Sequence, residues 1–342
     1  MLPKRFLGSS GLEISKVGFG AWAIGGGGWS FGWGPQDDAA SLAAMRHGIE
    51  LGINWIDTAP AYGLGHSEEL VGRFLRGLPR PVRPFVFTKC GLVWDERDRM
   101  AEPRRVLKPE SIRAECEASL RRLGVERIDL YQFHWPDEIG TAVEDSWAEM
   151  GRLIEEGKVR QAGVSNFSVA LLERCRTIRS VDSLQPPFSL IRREAAAGEI
   201  PWCFGHNTGV IVYSPMQSGI LTDGFSAERV AALAPDDWRR RATEFKEPNL
   251  SRNLALRDAL RPIARRYGAT VSAVAVAWTL GWPGVTGAIV GARSAEQVDG
   301  WIRAATLELS AEDLEEIASA IARTKAGAGP AKPTGAVART AL

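Results

Sequence analysis

Short apolar runs alternate with longer amphipathic segments along almost the whole chain. The first pair joins KVGFGAW to DDAASLAAMRHGIELG, where Asp37 and Asp38 favour a helix start and Gly52 a helix end. Seven further pairs follow: INWID with SEELVGRFLRG, PFVFTK with PESIRAECEASLRRLG, RIDLYQFH with AVEDSWAEMGRLIEEGK, VRQAGVS with SVALLERCRTI, VDSLQ with REAAAGEIPWCFGHN, GVIVYS with SRNLALRDALRPIARRYG, and VTGAIVG with SAEQVDGWIRA. Eight strand–helix units with strands that are apolar throughout are typical of a parallel sheet covered by helices.

This repeat predicts a closed (β/α)8 barrel of the TIM type, with α/β architecture. A doubly wound open sheet remains an alternative, because the hydrophobic period alone does not show whether a parallel sheet closes on itself.

Three stretches lie outside the repeat. The segment RFLGSSGLEIS predicts an N-terminal hairpin with Ser10-Gly11 as its turn. The connection after the seventh strand, residues 216–250, is long and has no clear period, which is typical of a functional loop. We predict one barrel domain over residues 1–325 and a disordered tail over residues 326–342, because the tail is aperiodic and rich in small residues.

Composition excludes several classes of protein. The chain has 342 residues, 45% of them hydrophobic, which is enough for a large core. Its 42 Lys and Arg balance 41 Asp and Glu, so neither nucleic acid nor a membrane surface is an expected partner. No apolar run resembles a signal peptide or a membrane span. The cysteines are too dispersed for a zinc site or a disulfide framework: Cys90, Cys116, Cys175 and Cys203. We expect a cytoplasmic protein without a metal, and the sequence does not reveal its oligomeric state.

Chemistry in a β/α barrel takes place where the strands end. Asp57 ends the second predicted strand and Tyr62 follows in its loop, while Lys89 ends the third strand and His134 the fourth. Each has an ordinary structural explanation when taken alone: a turn former, a loop aromatic, an amphipathic lysine, a core imidazole. Together, on three consecutive strand ends, they favour a reaction site.

These four side chains suit one type of reaction. A tyrosine has a pKa near 10, so a catalytic tyrosine needs a nearby cation. Lys89 would supply the charge and Asp57 would keep that lysine charged. His134 would orient a carbonyl oxygen beside the Tyr62 hydroxyl. Such a site protonates an oxygen while hydride attacks the carbon, and the hydride has to come from a cofactor.

The chain resembles the aldo-keto reductases. Six motifs occur in the family's order between Arg5 and Ala322: DTAPAYGLGHSEE, TK, DLYQFHWPD, GVSNFS, YSPMQSGIL and GARSAEQV. The resemblance implies reversible, NADPH-dependent reduction of aldehydes or ketones to alcohols on an eight-stranded barrel. By matching position, Tyr62 is the expected proton donor and His134 orients the carbonyl. Lys89 and Asp57 are the pair that adjusts the acidity of the tyrosine.

The resemblance also implies a nicotinamide-cofactor site. Ser165, Asn166 and Gln185 would hold the carboxamide, and Tyr213 offers a flat face for the ring. SPMQSGIL would lie along the pyrophosphate, where Gly219 allows close backbone approach. The expected cofactor-binding residues are Gly20, Ala21, Trp22, Asp57, Ser165, Asn166, Gln185, Tyr213, Ser214, Pro215, Met216, Gly219, Leu221, Gly291, Arg293 and Gln297.

The last motif suggests which cofactor is used. Ser294 and Gln297 predict a capping box at a helix start whose free N–H groups attract phosphate. Arg293 suits a 2′-phosphate and therefore favours NADPH over NADH. The family often has Glu-Asn where this chain reads Gly300-Trp301, so the contacts to the adenine are expected to differ.

The first strand contains a rival nucleotide motif. Gly18, Gly20 and Ala23 match the GxGxxG/A fingerprint, but further glycines follow where that fingerprint requires a helix. A glycine-rich lid fits the segment better. Five tryptophans on or near the predicted strand ends suggest an aromatic substrate pocket: Trp22, Trp29, Trp33, Trp94 and Trp135.

Two functions remain open at this point. The complete set of four residues favours an enzyme acting on a small carbonyl or sugar-like substrate. The resemblance extends to potassium-channel beta subunits, so a nucleotide-binding, redox-sensing regulatory subunit with little turnover is the alternative.

Overall fold

The computed structural model describes residues 1–235 and 237–333. Its strands are β1 (Lys4–Phe6), β2 (Glu13–Ser15), β3 (Val17–Gly20), β4 (Trp55–Asp57), β5 (Phe85–Cys90), β6 (Leu92–Val93), β7 (Arg104–Arg105), β8 (Ile128–Phe133), β9 (Val159–Ser165), β10 (Ser183–Gln185), β11 (Gly209–Val212) and β12 (Gly287–Gly291). Its helices are α1 (Asp38–Glu50), α2 (His66–Arg76), α3 (Pro109–Leu123), α4 (Val143–Glu155), α5 (Val169–Arg176), α6 (Glu199–Gly205), α7 (Ala227–Ala231), α8 (Asn249–Ala259), α9 (Arg261–Arg266), α10 (Val271–Leu280), α11 (Ala295–Asp299) and α12 (Ala311–Thr324).

Eight parallel strands close into a barrel. Their order is β3, β4, β5, β8, β9, β10, β11 and β12, after which β12 pairs with β3. Spatial order therefore follows chain order around the barrel, as the strand–helix repeat predicts. The (β/α)8 prediction is confirmed, and the open doubly wound sheet is excluded.

The N-terminal hairpin closes one end of the barrel. β1 pairs antiparallel with β2, and the turn is bridged by a hydrogen bond from Leu7 N to Leu12 O. Leu12 and Ile14 are fully buried against inward-facing side chains of the barrel strands, among them Trp55. Space inside that end is tight: a Cβ on Gly18 would lie 2.2 Å from the Trp55 ring. The predicted hairpin is confirmed, and it covers the end of the barrel that faces away from the site.

Besides α7, which lies in the long connection, the pattern does not predict α10 and α12. α10 has all ten residues buried, so its sequence VSAVAVAWTL is apolar on every side and shows no amphipathic stripe. Only its start carries a signal, because the Thr270 hydroxyl accepts a hydrogen bond from Ala273 N. α12 begins with a capping box formed by Ser310 and Asp313, and it packs against α8.

The long connection and the start of the tail are more regular than their composition suggests. The described part of residues 216–250 contains α7 and three single helical turns, Gln217–Gly219, Trp238–Arg240 and Thr243–Phe245, and Phe225 and Phe245 within it are buried. In the predicted tail, Ala328 exchanges backbone hydrogen bonds with Ile191 and Arg193. Residues 326–329 therefore contact the segment around Arg193, and the division into one domain over residues 1–325 and a disordered tail over residues 326–342 stays a prediction. Residues 334–342 lie outside the described part of the chain.

Within residues 1–235 and 237–333, no helix is long and apolar enough to cross a membrane.

Candidate active site

A buried lysine connects the acidic and phenolic groups at the ends of β4 and β5. Lys89 Nζ lies 2.6 Å from Asp57 Oδ1, 2.9 Å from the Thr58 carbonyl oxygen and 3.4 Å from the Tyr62 hydroxyl. The lysine is 0% exposed. An ammonium group has three N–H donors, so each is directed at one of these oxygens.

The second carboxylate oxygen of Asp57 also has hydrogen-bond partners. Asp57 Oδ2 accepts hydrogen bonds from Gln185 Nε2 at 2.9 Å and from Gln132 Nε2 at 3.4 Å. The two glutamines are joined by a further bond, from Gln185 Nε2 to Gln132 Oε1 at 3.1 Å. Gln132 was not among the predicted site residues. Its only signal is a polar side chain inside the apolar strand IDLYQF.

Hydrogen bonds to neighbouring segments fix the loop that carries Tyr62. The hydroxyls of Thr58 and Ser67 lie 2.9 Å apart, and the Ser67 hydroxyl donates to the Ala21 carbonyl at 2.9 Å. The glycine-rich loop after β3 lies directly against it, because a Cβ on Gly63 would come within 2.1 Å of the Gly25 oxygen. Tyr62 is thereby placed over Lys89, with its ring edge-on to His134 at 5.7 Å between centroids.

Burial controls the protonation of these groups. It raises the pKa of Tyr62 well above its ordinary value, and the charge of Asp57 acts in the same direction. The sequence suggested that Lys89 favours the phenolate, but desolvation outweighs that effect in the free protein, so the hydroxyl keeps its proton. Burial likewise lowers the pKa of Lys89, while Asp57 opposes that change.

The imidazole of His134 is neutral at physiological pH. Burial lowers its pKa well below the ordinary value, and the positive charge of Lys89 lowers it further. A neutral imidazole can still donate one hydrogen bond to a carbonyl oxygen. The four predicted residues are thus brought together as one proton-bearing phenol, one ion pair and one neutral imidazole.

A second polar group lies beside them at the ends of β9 and β11. Tyr213 donates its hydroxyl hydrogen to Asn166 Oδ1 at 2.8 Å, and Asn166 Nδ2 donates to the His134 carbonyl at 2.9 Å. Ser165 donates to the Gln185 carbonyl at 2.8 Å. Asn166 adopts φ 62°, a left-handed conformation that is uncommon outside glycine and turns its amide toward the cavity. The arrangement fits a flat ring with an amide substituent.

The segment after β11 has an unusual backbone. Ser214, Gln217 and Ser218 have φ of 55°, 45° and 52°, and Gly219 follows at 101°. Left-handed conformations in residues other than glycine are strained and concentrate at functional sites. Tight turns of this kind expose backbone N–H groups to an anion such as a pyrophosphate. Leu221, predicted to bind cofactor, is instead fully buried and does not line the cavity.

The predicted capping box at α11 does not form. Ser294 is the N-cap residue but its side chain makes no capping bond, while Gln297 Oε1 accepts from Arg293 N at 2.9 Å. The glutamine side chain therefore reaches back one residue further than the motif requires. The Arg293 guanidinium is held by neutral oxygens, at 2.6 Å from Gln36 Oε1 and 3.4 Å from the Trp33 carbonyl, and also by the Pro35 carbonyl.

One cavity of about 840 Å³ joins these groups. It is lined by Asp57, Tyr62 and His134, with Lys89 immediately behind them, and by every predicted cofactor residue except Leu221. Its size is within the range of cofactor and substrate sites. The polar groups at its centre and the turned backbone at one end fit a dinucleotide.

A family model described as the aldo/keto reductase family matches residues 16–322. The chain belongs to the aldo/keto reductase family. It is 33% identical over 319 residues to an aldo-keto reductase of Bacillus subtilis, covering 93% of each chain. It is 32% identical to a protein of Escherichia coli named NADH-specific methylglyoxal reductase, covering 93% of this chain and 98% of that one. A solved structure of a glycerol dehydrogenase from Gluconobacter oxydans superimposes with a TM-score of 0.84 at 37% identity, covering 97% and 98%.

The tryptophans of this aldo/keto reductase form an aromatic wall over Tyr62. Trp22 stacks on Trp238 at 5.1 Å and lies 6.1 Å from the Tyr62 ring, and Trp33 meets Trp22 edge-on at 5.2 Å. Trp238 was missed because it lies in the aperiodic connection after β11. Of the five predicted pocket tryptophans, the cavity is lined by Trp22, Trp29, Trp33 and Trp135, but not by Trp94.

Residues 299–301 are the segment for which the sequence predicts altered contacts to an adenine. Asp299 lies 2.7 Å from His47 and is not among the residues that line the cavity. Trp301 is 2% exposed, and within the described residues its indole nitrogen has no hydrogen-bond partner. Gly300 and Trp301 both line the cavity, so the wall here is apolar.

Proposed function

We propose that this aldo/keto reductase reduces aldehydes or ketones to alcohols with NAD(P)H, and catalyses the reverse reaction when alcohol and oxidised cofactor are in excess. The observation that carries the proposal is the contact of Lys89 Nζ with both Asp57 and the Tyr62 hydroxyl. A buried ion pair placed against a phenol that keeps its proton is suited to general acid catalysis.

The proton moves from Tyr62 to the substrate oxygen. The nicotinamide, when bound, supplies the hydride that reduces the carbonyl carbon. As the oxygen gains negative charge, the Tyr62 hydroxyl donates its proton and becomes a phenolate. Lys89, 3.4 Å away, stabilises that phenolate by charge. Asp57 holds the lysine in place, and the neutral His134 donates a hydrogen bond that orients the carbonyl oxygen. Aldehyde, hydride and proton together balance to the alcohol.

The cofactor-binding roles follow from the cavity wall. Asn166, Ser165 and Gln185 would bind the carboxamide, and the ring of Tyr213 would support the nicotinamide. The left-handed segment from Ser214 to Gly219 would approach the pyrophosphate with its backbone N–H groups.

Arg293 supports NADPH as the preferred cofactor. Its guanidinium lines the cavity and is surrounded by neutral oxygens; burial lowers its pKa, and the positive charges of Arg239 and Arg229 act in the same direction. A cluster of arginines with this geometry suits a 2′-phosphate. The Escherichia coli relative is named NADH-specific, so preference varies among similar chains and has to be measured for this one.

The decisive experiment compares Tyr62→Phe with Tyr267→Phe, a tyrosine bonded to Asp313 outside the cavity. Oxidation of NADPH and of NADH is measured with a panel of aldehydes, ketones and the matching alcohols. Tyr62→Phe should keep cofactor binding and lose about 10²- to 10⁴-fold in turnover, the range for general acid catalysis, whereas the control should resemble wild type.

Unchanged turnover in Tyr62→Phe would disprove the mechanism. Tight cofactor binding by the wild type without turnover on any member of the panel would favour the redox-sensing alternative.

A further inference from the structure

A small hairpin forms the side of the cavity next to His134. β6 pairs antiparallel with β7, and Leu92 stands directly opposite Arg105. Directly opposite side chains of an antiparallel pair point to the same face. Leu92 and Arg105 both line the cavity, so this face is turned toward the substrate end. Tyr62 and His134 line the same cavity as Leu92 and Arg105.

Arg105 is held in place by contacts other than an ion pair. Its guanidinium carbon lies 4.5 Å from the centroid of the Trp135 ring, and Trp135 directly follows His134. The Arg105 backbone N–H donates to Glu138 Oε1 at 2.8 Å, and Glu138 N donates to the Arg105 carbonyl at 3.1 Å. An arginine with a fixed backbone and a stacked guanidinium has already lost much of the side-chain freedom that ligand binding would cost.

Among the described residues, the guanidinium itself donates no hydrogen bond and has no carboxylate within 4.0 Å. The Glu138 carboxylate accepts a hydrogen bond from the Arg105 backbone N–H and forms no ion pair with the Arg105 guanidinium. Two other cations at the cavity are paired, Lys89 with Asp57 and Arg239 with Asp237. Among the described residues, Arg104, Arg192, Arg229 and Arg293 also line the cavity without an ion pair, but none of them is stacked on Trp135 as Arg105 is. Arg105 therefore presents a guanidinium without an ion pair and with free N–H donors on the cavity wall, which also carries Glu102 and Glu138.

We infer that Arg105 binds an anionic group, a carboxylate or a phosphate, on the carbonyl substrate. The guanidinium matches two oxygens of either group with parallel hydrogen bonds. The inference rests on the proposed carbonyl reduction and adds its substrate class: aldehydes or ketones that carry an acidic group a few bonds from the reacting carbon. Trp22 and Trp135 would cover the apolar part between the two ends.

The test uses substrate pairs that differ only in charge. One pair is 4-carboxybenzaldehyde and 4-formylbenzamide, and the other is glyceraldehyde 3-phosphate and glyceraldehyde. The wild type should show a higher kcat/KM on the charged member of at least one pair, which also tells carboxylate from phosphate. Arg105→Gln should lose about tenfold in kcat/KM on that member, mainly through KM, and stay within about twofold on the neutral one. Arg105→Lys should recover part of the loss.

Arg104→Gln is the matched control, because Arg104 is the exposed neighbour that lines the same rim. An equal loss in Arg104→Gln would mean general attraction of anions, and an equal loss on neutral substrates in Arg105→Gln would mean a structural role in holding Trp135. A wild type that prefers the neutral members would also overturn the inference.

A binding measurement separates this inference from the proposed reaction. Benzoate and inorganic phosphate are titrated against wild type and Arg105→Gln, with quenching of tryptophan fluorescence as the signal, since Trp135 lies under the guanidinium. Arg105-dependent binding without turnover would refute the reaction but support the anion site. Turnover on aldehydes with no effect of Arg105 on binding or KM would refute the anion site alone.

Discussion

The cavity is built from two regions that differ in how they are held. The floor, consisting of Asp57, Lys89, Gln132 and Gln185, lies on barrel strands, is buried, and is connected by hydrogen bonds from one side chain to the next. The roof, consisting of Trp22, Trp33, Trp238, Gln36 and Arg293, comes from connecting segments that meet through ring contacts and through the bond between Arg293 and Gln36.

The difference separates chemistry from selection. The backbone hydrogen bonds between the barrel strands fix the floor residues. A single substitution there removes a charge or leaves a charge unpaired in a buried site. Roof residues depend on contacts between loops, and substitution changes which ligand fits rather than whether a proton can move. Substitutions in the floor should therefore lower turnover, and substitutions in the roof should alter binding constants.

The largest effect is expected from Lys89→Met in the floor. The change removes the charge that stabilises the Tyr62 phenolate and leaves the Asp57 carboxylate buried without its partner. We expect turnover to fall about 10²-fold or more. The free energy of unfolding should also fall by about 3 to 5 kcal/mol, the cost of breaking a buried ion pair. Steady-state kinetics and urea denaturation measure the two effects.

Lys158→Met provides the control, since Lys158 pairs with Glu117 at 2.8 Å on the outside of the barrel. It should leave turnover unchanged. A Lys89→Met enzyme with wild-type turnover would show that the floor does not perform the chemistry.

An intermediate effect is expected from Arg293→Ala in the roof. Loss of the guanidinium should raise KM for NADPH by about tenfold through one lost charge-assisted contact, while KM for NADH and kcat change little. Arg303→Ala is the matched control, because this exposed arginine bonds the Gly268 carbonyl outside the cavity. Equal changes for both cofactors would argue that Arg293 supports the loop through Gln36 and does not bind a 2′-phosphate.

The smallest effect is expected beside the floor, just after the end of β5. Glu115 on α3 accepts a hydrogen bond from Gly91 N at 2.9 Å, two residues after Lys89, and burial raises its pKa to about 7. A carboxyl whose pKa is raised by folding contributes stability below its unfolded value, near 4.5, and loses it as the pH rises through about 7. Glu115→Gln should thus become more stable relative to wild type, by about 1 to 2 kcal/mol, between pH 5.5 and 8.5.

Glu117→Gln on the same helix should behave differently. Its pKa is lowered by the hydrogen bond from Lys158, so its stabilising effect is already complete at pH 5.5. The difference between Glu117→Gln and wild type should stay constant over the same range, with unfolding followed by circular dichroism. A constant difference for Glu115→Gln would mean that this carboxyl is ionised throughout.

Local patterns were enough to predict the barrel and most of the floor. Asp57 and Lys89 end apolar runs, and in a parallel barrel strand ends meet at one mouth, so their proximity follows from the repeat. Gln132 was not predicted, because a single polar residue in an apolar strand does not indicate which groups its side chain contacts. α10 was missed because a helix that is buried on all sides has no amphipathic period.

The roof was predictable only in part. Trp22 and Trp33 were inferred from their position after β3, but Trp238 lies in an aperiodic connection whose path depends on tertiary contacts. The prediction of a capping box at Ser294 was wrong because the motif specifies residue types and not rotamers. The Gln297 side chain accepts a hydrogen bond from Arg293 N instead. Neither the sequence around Gln36 nor the sequence around Arg293 indicates that the two residues are hydrogen-bond partners.

The bond between Gln36 and Arg293 joins residues 257 positions apart, beside the place where β12 pairs with β3. Contacts between such distant parts of a chain form late in folding, because a long loop has to close first. During synthesis the four floor residues have all emerged from the ribosome before Arg293 exists. Tyr62, Asp57 and Lys89, which supply the acid and the ion pair, are thus synthesised well before the seam between β12 and β3 can close.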